Sequence, residues 1–304
     1  MTSRTKERRN TEQRNAASRK LDRMSALEIV RLMNREDRKV AAAVGRESGA
    51  IARAVDAIVA GIRKGGRLIY VGAGSSGRMG VMDAAECPPT FGVSAKVVRA
   101  LIAGGRRAIT RAVEGAEDSE RNGERDLRGI RMTSKDVVVG IAASGTTPYV
   151  LGALKYARAR GAMTVAVTSN LRMPVGRVAK IVIAPEVGPE VLTGSTRLKA
   201  GTSQKMVLNM LSTAAMARLG HVYENLMIDM MLTNEKLAER ALRILAEASG
   251  KSVSAAEGAL RAGGHDMRVA LVMLKMGVGA AEARRRLKGA RGDLRVVLGN
   301  NRKN

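Results

Sequence analysis

Apolar residues recur along this chain at two spacings, and the two alternate. In "MSALEIVRLMNREDRKVAAAV", Met24, Leu27, Ile29, Val30, Leu32 and Met33 fall at helical intervals behind Ser25, a good N-cap, and predict an amphipathic helix. "AIARAVDAIVAGIRKGG" predicts a second helix, closed by Gly65 and Gly66. The short runs "RLIYVG", "KVVRALIAGG", "DVVVG", "MTVAV" and "KIVIAP" read as strands that are apolar on both faces. Helical segments separate them: one expected to stop at Pro88 and Pro89, one spread over residues 106–130, and one following "SGTTPYV". The long "SQKMVLNMLSTAAMARLG" predicts a core helix to which Met206, Leu208, Met210, Leu211 and Met216 contribute. This alternation implies an α/β fold, with a parallel sheet flanked by helices in three αβα layers. From about residue 250, "SVSAAEGALRAGG", "DMRVALVMLKMG" and "GAAEARRRLKGA" predict three short helices divided by glycines, a small helical bundle. The expected organisation is a basic N-terminal arm over residues 1–20, an α/β domain over 21–248 and a helical domain over 249–304.

Composition narrows the function classes. The chain has 304 residues, 45% hydrophobic and 27% charged, enough for a sizeable core. Its formal charge of +25 invites a nucleic-acid partner, but the basic residues are dispersed along the whole length. Aromatics are 2%, with no Trp and Phe91 as the single Phe, so base-stacking platforms are scarce. No specific nucleic-acid partner is expected; attraction for anionic substrates is. No apolar stretch approaches the roughly 20 residues that cross a bilayer, so no membrane partner is expected. "MTSRTKERRNTEQRN" lacks an apolar export core, Glu7 and Glu12 interrupt a transit-peptide pattern, and the expected location is the cytoplasm. Cys87 is the single cysteine, which excludes an internal disulfide and a Cys-cluster metal site. The two histidines, His221 and His265, make a His-based triad or metal centre hard to build. Chemistry falls to carboxylates, hydroxyls, Lys and Arg.

Three stretches concentrate those groups. In "LIYVGAGSSGRMG", Gly72, Gly74 and Gly77 have G-x-G-x-x-G spacing after an apolar strand. A triphosphate loop needs Gly-Lys-Ser/Thr, and here Gly77, Arg78 and Met79 stand instead. A dinucleotide site wants an acid closing the second strand, and "VVRALIAGG" has none. "AASGTTPYV" repeats a small-residue loop with Ser144, Thr146 and Thr147. "TGSTRLKAGTSQK" adds Thr193, Ser195, Thr196, Arg197, Lys199 and Thr202 before the long helix. Each loop alone is explained by helix capping. Together, hydroxyls and backbone N–H groups at helix N-termini suit a phosphate monoester, held by Gly74, Ser75, Ser76, Ser144, Thr146, Thr147, Ser195 and Lys199.

"RLIYVGAGSSGRMGVMDAAECPPTFG", "AVEGAEDS", "DVVVGIAASGTTPYV", "GSTRLKAGTSQKMVLNMLST" and "TNEKL" closely resemble the N-acetylmuramic acid 6-phosphate etherases, from about Thr11 to the C-terminus. "ECPPTFG" and "EGAED" make the resemblance specific, since they are not general features of SIS sugar-phosphate domains. It implies a SIS-type fold over 21–248, a ubiquitin-associated-like bundle at the C-terminus, a homodimer, and no metal or organic cofactor. It implies cleavage of the D-lactyl ether of N-acetylmuramate 6-phosphate in peptidoglycan recycling. It also implies that Glu86 protonates the lactyl oxygen and that Glu117 is the other acid/base group. One departure stands out: the second loop commonly reads "ASGRTPYV" in that family, and here the arginine position is Thr146. Basic residues such as Arg78 or Lys199 are the sequence's candidates to compensate.

The chemistry suits two carboxylates. In the open-chain sugar the C1 aldehyde acidifies the C2 proton; a base removes it while an acid protonates the departing alkoxide, and water then adds at C3. Ser76 to Glu86 spans about 15 Å of straight helix. Either the segment bends before Pro88, or Glu86 serves a neighbouring subunit. Asp83, Glu114, Asp118 and Glu120 are carboxylates easily mistaken for the active one, Cys87 reads as packing, and Tyr149 is either a site or a packing residue. Two other functions fit the same loops: a non-catalytic sugar-phosphate sensor of the glucokinase-regulatory-protein type, and a sugar-phosphate isomerase.

Overall fold

A computed structural model describes residues 10–232 and 234–299. Residues 1–9 of the basic arm, Thr233 of "TNEKL" and residues 300–304 lie outside the described residues. Five parallel strands, β1 (Leu68–Gly72), β2 (Val98–Ile102), β3 (Val137–Ile141), β4 (Met163–Val167) and β5 (Ile181–Ile183), form one sheet in the order β2-β1-β3-β4-β5. Every residue of β1 and β3 is buried, as their unbroken apolar runs require.

Helices cover both faces. α1 (Ala26–Arg46) begins at Ser25 with a full capping box, in which the Ser25 side chain accepts from Glu28 N–H and the Glu28 side chain accepts from Ser25 N–H. α2 (Ser48–Arg63) and α3 (Gly74–Phe91) lie against one face: a Cβ on Gly61 would sit 3.1 Å from Val137 Cγ2, and one on Gly80 3.3 Å from Ile141 Cδ1. Side chains of a strand alternate between faces. Gly140, one step out of phase, backs onto α6 (Pro148–Ala159), where a Cβ would meet Val150 Cγ1 at 2.7 Å. α6 packs with α5 (Glu120–Gly129) over a core of Ile69, Val71, Val138, Leu127 and Leu154. The expected helix over 106–130 is two helices, α4 (Arg107–Thr110) and α5, separated by a turn at Gly115. Short α7 (Pro174–Val178) precedes β5, and α8 (Lys199–Arg218) is the long helix. Met216 is fully buried on α8, but Met210 is 40% exposed, so the methionines are not all core.

The chain divides into two compact units, one of residues up to Ala85 with Ala95–Thr213, the other of Glu86–Ser94 with Ala214 onward. In the first, the arm is docked from residue 10: Thr11 is buried and accepts from Asn170 Nδ2, and Asn15 donates to Glu36 and to the Pro189 carbonyl. In the second, α9 (Glu235–Ser249), α10 (Val253–Ala262), α11 (Met267–Met276), α12 (Ala280–Gly289) and α13 (Leu294–Val297) share one core. The boundary expected at 248/249 is displaced because Ala241, Ile244 and Leu245 of α9 bury themselves with Leu260 and Leu271.

The prolines do not stop α3, which contains both. Pro88 and Pro89 lack only their own N–H groups, while their carbonyls still accept from Gly92 N–H (2.9 Å) and Met231 N–H (3.2 Å). Near a helix end these contacts override the local preference. Cys87 is buried, as a packing residue should be.

Candidate active site

The strand order changes direction between β1 and β3: the chain leaves β1 toward β2 on one side, while β3 leads to β4 and β5 on the other. Ligand crevices of open α/β sheets lie at such a switch point, outside the carboxyl ends of the strands. The two loops singled out by sequence are the two at this point. Gly72 is level with Ile141, so residues 73–76 and 142–147 start side by side, about 4.8 Å apart.

In the first loop, a Cβ on Gly72 would lie 2.7 Å from Gly77 N, and one on Gly77 would lie 2.6 Å from Ile102 Cγ1. These two glycines let the strand end and the first turn of α3 touch backbone to backbone, while Gly74 turns the chain at φ +51°. The Gly77 N–H donates to the Ala73 carbonyl. The N–H groups of Gly74, Ser75 and Ser76 therefore head the helix without intrahelical partners. The Ser75 and Ser76 hydroxyls, half-buried, make no hydrogen bond among the described residues. In the second loop, Ser144 Oγ accepts from the Thr146 N–H (3.2 Å) and hydroxyl (3.1 Å). Thr147 is the N-cap of α6 but its side chain makes no capping bond. Helix capping does not account for these hydroxyls.

Glu117 is tied to the second loop through the backbone: its carbonyl accepts the Tyr149 N–H at 2.9 Å. Tyr149 is fully buried, and its hydroxyl donates to Asp126 Oδ2 at 2.8 Å. Burial first, then the adjacent carboxylate, push that phenol far above its ordinary pKa, so it stays neutral and structural. α5 and α6 meet at two glycines: a Cβ on Gly123 would lie 2.0 Å from the Tyr149 carbonyl, and one on Gly152 2.0 Å from that of Glu120. This close crossing holds the segment before α5 against the start of α6. The result is a cavity of about 280 Å³ lined by Gly74, Arg78, Arg111, Glu114, Glu117 and Asp118, among others. Arg78 donates to the carbonyls of Ile109 (2.9 Å) and Arg111 (3.0 Å), fixing one wall. The cavity sets Gly74, at the head of α3, beside the exposed carboxylates of Glu114, Glu117 and Asp118, while Ser75, Ser76, Ser144, Thr146 and Thr147 lie outside its lining.

The third stretch behaves differently. Lys199 is 1% exposed, and its ammonium lies 2.6 Å from Glu36 Oε2, 163 residues away. The N–H groups of Lys199 and Ala200, at the head of α8, donate to Glu190 at 3.0 and 2.9 Å. Burial raises the pKa of Glu190 despite those bonds. The expectation that Lys199 reaches phosphate is corrected: its charge is spent on a buried carboxylate, and Glu190 occupies the helix terminus a phosphate would use. Ser195, half-buried, does not line the cavity. Glu86 is exposed on α3 and belongs to the second unit. Asp83 is buried and accepts from Tyr70, Asn209 and Ser212, so it is structural. Arg111, Glu36, Asp126 and Glu190 stand in no local motif, and nothing in the sequence marks them. No cluster of metal-ligating side chains occurs among the described residues, and none of their helices is long and apolar enough to cross a membrane.

A profile of the glucokinase regulatory protein N-terminal SIS domain matches residues 50–158, and one of the SIS domain matches residues 115–214. A Bacteroides fragilis structure described as a phosphosugar isomerase candidate involved in capsule formation matches with a TM-score of 0.50 at 21% identity, covering 65% of this chain and 94% of that one. It bears on the fold alone. An N-acetylmuramic acid 6-phosphate etherase from Serratia proteamaculans is 54% identical over 288 residues, covering 95% of this chain and 97% of that protein. Another from Pectobacterium atrosepticum is 52% identical over 288 residues, 95% of each. These relatives favour neither the sensor nor the isomerase reading. With this identity over nearly its full length, the chain belongs to the N-acetylmuramic acid 6-phosphate etherase family.

Proposed function

We propose that the chain is a carbon–oxygen lyase that cleaves the D-lactyl ether of N-acetylmuramate 6-phosphate, giving N-acetylglucosamine 6-phosphate and D-lactate. The observation that carries this reading is one cavity lined by both Gly74, at the head of α3, and the carboxylate-bearing Glu117. The phosphate is received by the N–H groups of Gly74, Ser75 and Ser76 and by the hydroxyls of Ser75, Ser76, Ser144, Thr146 and Thr147. Binding there tethers the open-chain sugar, so that proton transfer at C2 becomes intramolecular in effect. Glu117 is the acid/base group at C2, and Glu86 protonates the lactyl oxygen as the C3–O bond breaks. Water then adds to C3 of the unsaturated aldehyde, and the C2 carbon takes back a proton.

The uninterrupted α3 supports assigning Glu86 to the site of a second copy, which makes a homodimer the working unit. A cytoplasmic role in peptidoglycan recycling, with no metal or organic cofactor, completes the proposal. The test is D-lactate release from N-acetylmuramate 6-phosphate in deuterated water. Lactate with deuterium at C2 of the sugar product is the expected result; lactate without C2 exchange would overturn the elimination mechanism.

A further inference from the structure

The second phosphate loop brings no cation to the site: Thr146 is neutral, and its hydroxyl is turned onto Ser144 at 3.1 Å. Lys199 is buried against Glu36. Arg78 lines the cavity, but its guanidinium already donates to the carbonyls of Ile109 and Arg111. The remaining cation in the lining is Arg111, and its guanidinium makes no hydrogen bond or ion pair among the described residues.

The charge balance of the cavity gives that free guanidinium a purpose. Its ionisable lining is Arg78 and Arg111 against Glu114, Glu117 and Asp118. Without Arg111, one engaged cation would face three carboxylates, and a dianionic phosphate would be repelled from the amides at the head of α3. A planar guanidinium forms paired hydrogen bonds with phosphate oxygens, and loses less on desolvation than an ammonium. The backbone that carries it is held by Arg78, which donates to the Arg111 carbonyl at 3.0 Å, and so keeps the residue at the cavity wall.

We infer that Arg111 is the residue that neutralises the phosphate of the substrate in this chain and sets its affinity for phosphorylated over unphosphorylated sugar. The inference rests on the etherase reading for the identity of the sugar, but not for the phosphate. Replacing Arg111 with Gln removes a charged hydrogen-bonding partner, and should raise the KM for N-acetylmuramate 6-phosphate about 10- to 100-fold. The kcat should change far less, and inhibition by inorganic phosphate should weaken in parallel. Because Arg111 is exposed, its urea midpoint should be unaltered. Adding T146R to R111Q returns a cation from the neighbouring loop and should recover most of the lost affinity, which a merely structural role for Arg111 would not permit. An R111Q variant with unchanged KM and unchanged phosphate inhibition would overturn the inference. Should the native chain release no D-lactate, the etherase reading fails. Calorimetric titration of inorganic phosphate into the native and R111Q chains still decides the inference: equal binding refutes it, and weaker binding to R111Q supports it.

Discussion

Lys199→Met separates a structural lysine from a substrate-binding one. Glu36 is 5% exposed and receives hydrogen bonds from Lys199 at 2.6 Å, Asn15 at 2.9 Å and Lys39 at 2.5 Å. Burial alone would raise its pKa, but the bonds from Lys199, Lys39 and Asn15 outweigh it and lower the carboxyl from 4.5 to about 2. That displacement corresponds to about 3 kcal/mol of stability. Since the folded-state value is the lower one, the contribution is complete above about pH 5 and is lost as pH falls through about 2. Methionine fills the volume of the lysine stem but leaves Glu36 with Asn15 and the largely exposed Lys39. Breaking a buried pair costs about 3–5 kcal/mol, and the two retained partners should hold the loss to about 2–3 kcal/mol. Urea unfolding at neutral pH reads that loss as a lower midpoint, and the variant's stability should fall less steeply between about pH 5 and pH 3. A variant of native stability with a raised KM would refute the structural assignment and return Lys199 to the substrate.

Gly152→Ala should destabilise the first unit by about 2–3 kcal/mol, because the new Cβ would meet the Glu120 carbonyl at 2.0 Å. It should also lower kcat by shifting Glu117, and a variant with native melting and native kcat would contradict the close crossing of α5 and α6. Asp136 is 1% exposed and accepts from the Arg67 N–H and guanidinium and from the Thr133 N–H, with its pKa lowered because those bonds outweigh burial. Asp136→Ala should cost about 3 kcal/mol at neutral pH, an effect that fades in acid as the native carboxyl titrates, while KM per folded molecule stays native. Gly92→Ala places a Cβ 2.3 Å from the Asp229 carbonyl at a residue with φ +63°. It should disturb the segment that follows Glu86 and lower kcat more than it raises KM.

The sheet was legible because its strands are short, mostly apolar runs bounded by small, polar or proline residues, a purely local signal. The position of the two loops after β1 and β3 was legible for the same reason, through Gly72, Gly74 and Gly77 in one and the small residues before Pro148 in the other. Lys199 was misread because its partner, Glu36, lies 163 residues away, and a cationic residue beside hydroxyls looks like a phosphate ligand until that partner is in place. Pro88 and Pro89 misled for a related reason: a local break signal was overridden by Met231, distant in sequence, bonding to the Pro89 carbonyl. Arg111 carried no signal, since its value depends on a turn folding back over the head of α3. Met210 illustrates a limit of pattern reading, because its apolar neighbours on α8 are buried while it is 40% exposed.

The most direct test of the account is Glu117→Gln, examined for both catalysis and binding. D-lactate release should be abolished while N-acetylglucosamine 6-phosphate binds, by calorimetry, with native or tighter affinity, because a carboxylate lining the proposed site has been neutralised without removing the amides at the head of α3. D-lactate release at a rate near that of the native chain would contradict it, and would remove Glu117 and its cavity from the reaction.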